Sequence, residues 1–91
     1  MAWFTGSDQI DTGQVSPTNV AATLIAARAT RRAVLFVNQG SVDVYVGPAT
    51  VTTANGFVIK PNASLTLNTT ALVQAITSSG TGTIHYVEEF E

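Results

Sequence analysis

The chain has no cysteine, which excludes a disulfide framework and a thiolate metal site. Charge is scarce as well. Asp, Glu, Lys and Arg make up 11% of the residues, against about 25% in an average soluble domain. The net charge is −2, and Arg28, Arg31 and Arg32 with Lys60 are the only basic side chains besides one histidine. That is no footprint for nucleic acid. No apolar run approaches the ~20 residues of a membrane span. Met1-Ala2-Trp3-Phe4-Thr5-Gly6 lacks a basic n-region and a long apolar stretch, so no signal peptide is expected, and synthesis in a cytosol is. No helical period is sustained long enough for an ordinary helix.

What is present is a small, apolar, Thr-rich chain of 91 residues, 45% of them hydrophobic. One domain is expected, burying roughly 60–65% of the unfolded chain's surface. A core of that size without staples favours oligomerisation or docking on a larger surface. With so little charge, Thr, Ser, Asn, Gln and exposed apolar groups must cover the exterior, which suits permanent assembly.

The organising stretch is Arg31 to Gly47. Ala33 to Val37 is an unbroken apolar run rich in branched and aromatic residues, a strand by length and composition. Asn38-Gln39-Gly40-Ser41 supplies turn chemistry, with Gly40 free to take positive φ. Val42, Val44 and Val46 alternate with polar residues and Tyr45, the period of a half-buried strand. A hairpin is predicted. Val34 and Phe36 face one side of its first strand, and Ala33, Leu35 and Val37 the other. Both sets are apolar, so this strand needs cover twice, and another subunit is the favoured second cover.

Around it, residues 1–20 read as a turn-rich N-terminal arm, with short strands conceivable near Ile10 and Val15. Residues 21–91 read as the β domain. Ala21–Ala27 fits a helical turn or a strand, the strand being favoured. Asn55-Gly56 signals a hairpin. Lys60-Pro61-Asn62-Ala63 is a turn in which Asn62 tolerates the left-handed region. Ser64–Leu67, Ala71–Ile76 and Thr83–Phe90 complete seven or eight short strands. The expected fold is all-β: a small antiparallel β-sandwich or jelly-roll-like barrel.

No catalytic constellation is evident, and no enzyme activity, cofactor or metal is expected. His85 lies mid-strand, no Ser occupies a nucleophile elbow, and Glu88 and Glu89 point to opposite faces of a strand. Asp8-Gln9-Ile10-Asp11 matches no calcium loop. The arginine cluster reads either as a solvated loop or as a patch pairing with Glu88, Glu89 or Glu91 of a neighbouring copy. Trp3 and Phe4 either fold back under the sandwich or anchor the arm on a partner.

The phrases Arg31–Gly40, Val44–Gly47, Val51–Phe57, Lys60–Leu67, Val73–Ile76 and Ser79–Thr83 resemble small virion proteins of tailed bacteriophages, over about residues 22–88. Asn62 departs from the pattern, which has Gly after the Pro. The resemblance implies a compact β domain, often trimeric, on the capsid or at the neck or tail, and is greatest to capsid decoration (cement) proteins. It implies the virion's capsid surface as location, assembly in the host cytoplasm, the major capsid protein as partner, and no membrane or nucleic-acid partner. Candidate docking residues are Trp3, Phe4 and Ile10. Candidate subunit-interface residues are Leu35, Val37, Tyr45, Arg31 and Arg32. The alternative is a tail, neck or fibre protein, or a carbohydrate-binding module using Tyr45, Tyr86 and Trp3.

Overall fold

A computed structural model describes residues 9–91. Among these residues it has strands β1 (Gln9–Val15), β2 (Ala22–Ile25), β3 (Arg31–Asn38), β4 (Val44–Gly47), β5 (Phe57–Ile59), β6 (Ser64–Leu67), β7 (Val73–Ile76) and β8 (Ile84–Phe90), and no helix. The all-β expectation is met. The strands form two four-stranded antiparallel sheets, ordered β1-β8-β3-β6 and β2-β7-β4-β5. The pairs β4/β5, β3/β6, β2/β7 and β1/β8 are nested, so the chain is one long hairpin wrapped over itself. That is the jelly-roll arrangement.

Alternation in the sequence places the core between the sheets. Val34, Phe36 and Ile84 from the first sheet meet Val44, Val46, Ile59, Val73 and Ala75 from the second. Burying each larger side chain contributes roughly 1.5–3 kcal/mol. β2 adds both Leu24 and Ile25, neighbours in sequence, because a bulge between Thr23 and Ile25 breaks the alternation there.

Two expectations need correction. Residues 9–15 are not part of an arm. They form an edge strand in register with β8 from Gln9↔Phe90 to Val15↔Ile84. The short strands read near Ile10 and Val15 are one strand, and Gly13 explains part of the fit: the Tyr86 ring lies over it, and a Cβ there would meet the Tyr86 hydroxyl oxygen at 2.6 Å. The predicted central hairpin is also absent, since β3 and β4 belong to different sheets.

Asn38 makes the corner between them. Its side chain is fully buried. Nδ2 donates to the carbonyls of Val42 and Ile59, each at 2.8 Å, and Oδ1 accepts from Gly40 N–H at 2.9 Å. A buried amide with three partners satisfies the polar backbone where the chain leaves one sheet for the other. Left-handed backbone falls at Thr50, Asn62 and Gly80, not at Gly40. Asn62, at φ 68°, takes the conformation its residue type allows.

The Asn55-Gly56 signal lies beside a real pair, β4 with β5, but the connection is the longer loop 48–56. Thr52 N–H donates to Asn55 Oδ1 at 2.7 Å, and Gly56 N–H to Thr52 O at 2.8 Å. Gly56 is required by proximity: a Cβ would come within 2.7 Å of Tyr45 Cβ and 2.9 Å of Thr52 O.

Candidate functional site

The outer face of the first sheet follows from register. Ile10 opposes Glu89, which opposes Ala33. Thr12 opposes Val87, which opposes Leu35, which opposes Thr66. Gln14 opposes His85, which opposes Val37, which opposes Ser64. Residues directly opposite share a face, so Ile10, Ala33, Leu35, Val37 and Val87 share one largely apolar face, with Glu89 between Ile10 and Ala33. Ile10 is 69% exposed. Two shallow depressions of about 210 and 230 Å³ lie side by side here, sharing Leu35 and Val87. The doubly apolar reading of β3 thus has a physical outcome. Val34 and Phe36 are fully buried, while Ala33, Leu35 and Val37 remain half-exposed, with no described segment of the chain laid over them.

The structure brings Ile10 onto the same face as Leu35 and Val37, although sequence assigned them to different partners. Tyr45 is elsewhere. It opposes Ile76 and Val58 on the outer face of the second sheet. Tyr86 faces inward against Gly13, so Tyr45 and Tyr86 form no shared stacking platform. Trp3 and Phe4 lie outside the described residues.

Arg31 is turned inward, which removes it from the residues available to a subunit interface, whereas Arg32 stays on the surface. A bulge between Arg31 and Ala33 in the β3/β8 ladder rotates Arg31 out of the outward series of Ala33, Leu35 and Val37. Its side chain is completely buried and its Nε donates to Glu88 Oε2 at 2.7 Å. Nη1 donates to the carbonyls of Thr69 and Ala71, each at 2.9 Å, and Nη2 donates to Ala26 O. Arg28 stands 3.4 Å from Glu88 Oε1 and stacks over the Phe90 ring at 3.7 Å. Arg32 is exposed and pairs with Glu91 of the same chain. Of the acids considered for a neighbouring copy, Glu88 and Glu91 are engaged within this one. At the opposite end, Lys60 lies 3.0 Å from Asp43, whose hydrogen bond and charge raise the lysine above its ordinary titration range.

Sequence gave no sign of a second apolar feature. The sheets gape between the edge strands β5 and β6. This cleft of about 500 Å³ is lined by Val46, Phe57, Leu65, Leu67, Leu72 and Val73, with the loop residues Pro48, Thr69 and Ala71 at its rim. Phe57 is on the inner side of β5, opposite Val46, yet is 63% exposed. The alternating Leu65 and Leu67 carried the signal for an inward face but not for its incomplete cover.

His85 is exposed between Val37 and Gln14 in the ladder. Among the described residues no group of three or more His, Cys, Asp or Glu is placed to hold a metal ion. No helix of the described residues is long and apolar enough to cross a membrane.

The fold is thus an eight-stranded jelly-roll sandwich, an architecture that hosts capsid subunits, lectins and cupins alike. No protein-family profile matches the chain, and no curated protein matches it significantly. Among solved structures it is similar to one from Bacillus endospore appendages, described as a novel family of disulfide-linked pili. The TM-score is 0.52 at 14% identity, covering 99% of this chain and 94% of the other. At that identity the likeness concerns the fold.

Proposed function

We propose that the protein is a non-enzymatic structural subunit that works in an assembly, joined to further copies through the outer face of its first sheet. The observation that carries this reading is the tract Ile10–Ala33–Leu35–Val37–Val87 on a chain with very few charges. Burying it would remove from water the apolar side chains that the sandwich leaves half-covered or exposed on that face. The fold-level similarity to a protein of pili is a precedent for such a sandwich as a building block. The present chain has no cysteine, so disulfides of this sequence would not hold its assembly together.

In its finer form the reading is a capsid decoration protein of a tailed phage, trimeric, bound to the major capsid protein on the outside of the head. Support comes from the phrase-level resemblance over about residues 22–88 and from the jelly-roll sandwich. Repetition over a symmetric lattice would multiply modest contacts. A tail or neck location fits the same features. The carbohydrate-binding alternative loses its motivation, because Tyr45 and Tyr86 face different ways.

Sedimentation over a concentration series tests the general reading, and binding to capsids stripped of decoration tests the finer one. Oligomers lost on Leu35→Lys are expected. A chain that is monomeric throughout and ignores capsids would overturn both.

A further inference from the structure

His85 and Glu89 are the ionisable side chains among the described residues paired across the outer face of the first sheet. Both stand on β8, two residues to either side of Val87, and both are exposed. Neither forms an ion pair among the described residues. We infer that a second copy packs on this face about a two-fold axis along the row that holds Leu35 and Val87, so that His85 of each copy meets Glu89 of the other and association depends on pH. The inference rests on the assembly reading above in its general form. It requires a two-fold pair at this face, so a three-fold ring would have to use another surface.

The face is laid out for such an exchange. Glu89 and Ala33 lie in the row on one side of Leu35 and Val87, and His85 and Val37 in the row on the other. The two hollows repeat this division. The one of about 230 Å³ carries Ala33 and Glu89, the one of about 210 Å³ carries Val37 and His85, and Leu35 and Val87 belong to both. An axis along the middle row, in the plane between two facing sheets, exchanges the outer rows and keeps each strand over its own copy. Leu35 then meets Leu35, Ala33 meets Val37, and Glu89 meets His85 twice. Facing sheets pack ~10 Å apart, a gap that a glutamate from one side and an imidazole from the other bridge. An axis along the strands over β8 sets Glu89 on Glu89 and His85 on His85. Moved between β8 and β3, it sets Glu89 on Ala33 and His85 on Val37, with no partner for either charge. Burying an unpaired charge is costly, so the charges select the axis along the row. A two-fold interface needs a self-complementary patch, and this face is one. Any other occupant would have to supply a cation and a carboxylate about 13 Å apart, the four-residue separation along β8.

The pH dependence follows from the pairing. An ordinary imidazole is protonated below about pH 6.5, and an ordinary glutamate is ionised above about pH 4.3. The cross-copy pairs hold most strongly between those limits, and the attraction is lost as the imidazole gives up its proton. Within one copy the outer-face neighbours of His85 are Gln14 on β1 and Val37 on β3, neither of them titratable. The charged groups nearest in the chain to Glu89 on the surface, Arg32 and Glu91, pair with each other, as do Lys60 and Asp43 at the other end of the sandwich.

Sedimentation of the full chain over a concentration series at pH 6 and at pH 8 tests this. Association at least tenfold tighter at pH 6 is expected, and His85→Gln or Glu89→Gln should each remove the difference. Copies carrying Glu89→Lys should not pair with themselves at pH 6, nor should copies carrying His85→Glu. The two should pair when mixed, since every charged contact in the mixed dimer joins opposite signs. Both positions are exposed, so thermal melts of the dilute variants should match the parent. Association that is lost on Leu35→Lys but is indifferent to pH between 6 and 8, with no recovery on mixing, would leave the assembly reading standing and overturn this inference. A pH difference that survives both Gln variants overturns it too, as does a three-fold oligomer built on this face. A chain monomeric at every concentration and at both pH values removes both readings.

Discussion

Arg31 Nε donates to Glu88 Oε2 across 2.7 Å at a point where the two side chains are 0% and 3% exposed. The pair joins adjacent central strands, and the remaining guanidinium donors hold three loop carbonyls. An ion pair in this setting is worth little as a net gain, because both charges have been taken out of water. Its importance emerges when one member is removed and the other stays behind.

Glu88→Gln should destabilise the domain by about 3–5 kcal/mol, since the Arg31 charge stays buried without its counter-ion. The double variant Arg31→Met with Glu88→Leu should recover only part of that loss, because it removes the unpaired charge but leaves the carbonyls of Ala26, Thr69 and Ala71 without their donor. Arg32→Ala should change stability by less than about 1 kcal/mol, because its pair with Glu91 is exposed. Urea denaturation of these variants beside the parent protein checks all three statements.

Asn38→Ala should cost about 2–4 kcal/mol. It strands the carbonyls of Val42 and Ile59 and the Gly40 N–H, and an unsatisfied buried group costs ~1–3 kcal/mol. Asn38→Asp should be worse than Asn38→Gln at neutral pH, because a carboxylate would face two carbonyl oxygens. The thermal midpoints of the three variants give the ranking.

Thr50→Gly should stabilise the fold by about 1 kcal/mol. A branched residue at φ 72° bears the left-handed penalty of ~1–2 kcal/mol, which Gly avoids in part at an entropic cost in the unfolded chain. Asn62→Gly, at φ 68°, should gain less, since Asn is already tolerated there. Chemical denaturation compares the two.

Gly13→Ala should destabilise by about 1–3 kcal/mol through displacement of the Tyr86 ring. Near-ultraviolet circular dichroism should register the displaced tyrosine. Should the spectrum and midpoint both remain unchanged, the ring does not depend on that space.

Leu35→Lys and Val37→Lys should reduce self-association without lowering the monomer's melting temperature, because both side chains are only half-buried in the single chain. Tyr45→Lys, on the opposite sheet, should leave association through the first sheet intact. Sedimentation and thermal melts on the same samples separate assembly from folding.

Strand positions and inward faces are legible in the sequence because alternation survives wherever a strand has one core side. Val44 and Val46, Leu65 and Leu67, and Ile84 all point as their spacing indicates. Departures from that period are not legible. The bulge beside Arg31 reverses the direction of one arginine, and no residue in Arg31-Arg32-Ala33 announces it. The corner at Asn38 looks like turn chemistry in sequence, yet a turn and a sheet-to-sheet crossing require the same residue types. β1 is half-legible: short strands are read near Ile10 and Val15, but only pairing with β8 makes residues 9–15 one continuous strand. The apolar tract is half-legible: β3 displays it, but only register can add Ile10 and Val87.

The placement of β8 has a further consequence. This last strand lies between β1 and β3 and is the only partner of β1. A chain emerging from the ribosome cannot close its first sheet until β8 has appeared. Until then Val34, Phe36, Leu35 and Val37 have no strand on that side, and the pairings that would protect them are the most distant in sequence. Such topologies fold slowly and are prone to aggregation in the interim. The scarcity of charge makes the nascent form vulnerable, and loss of β8 would prolong that stage indefinitely.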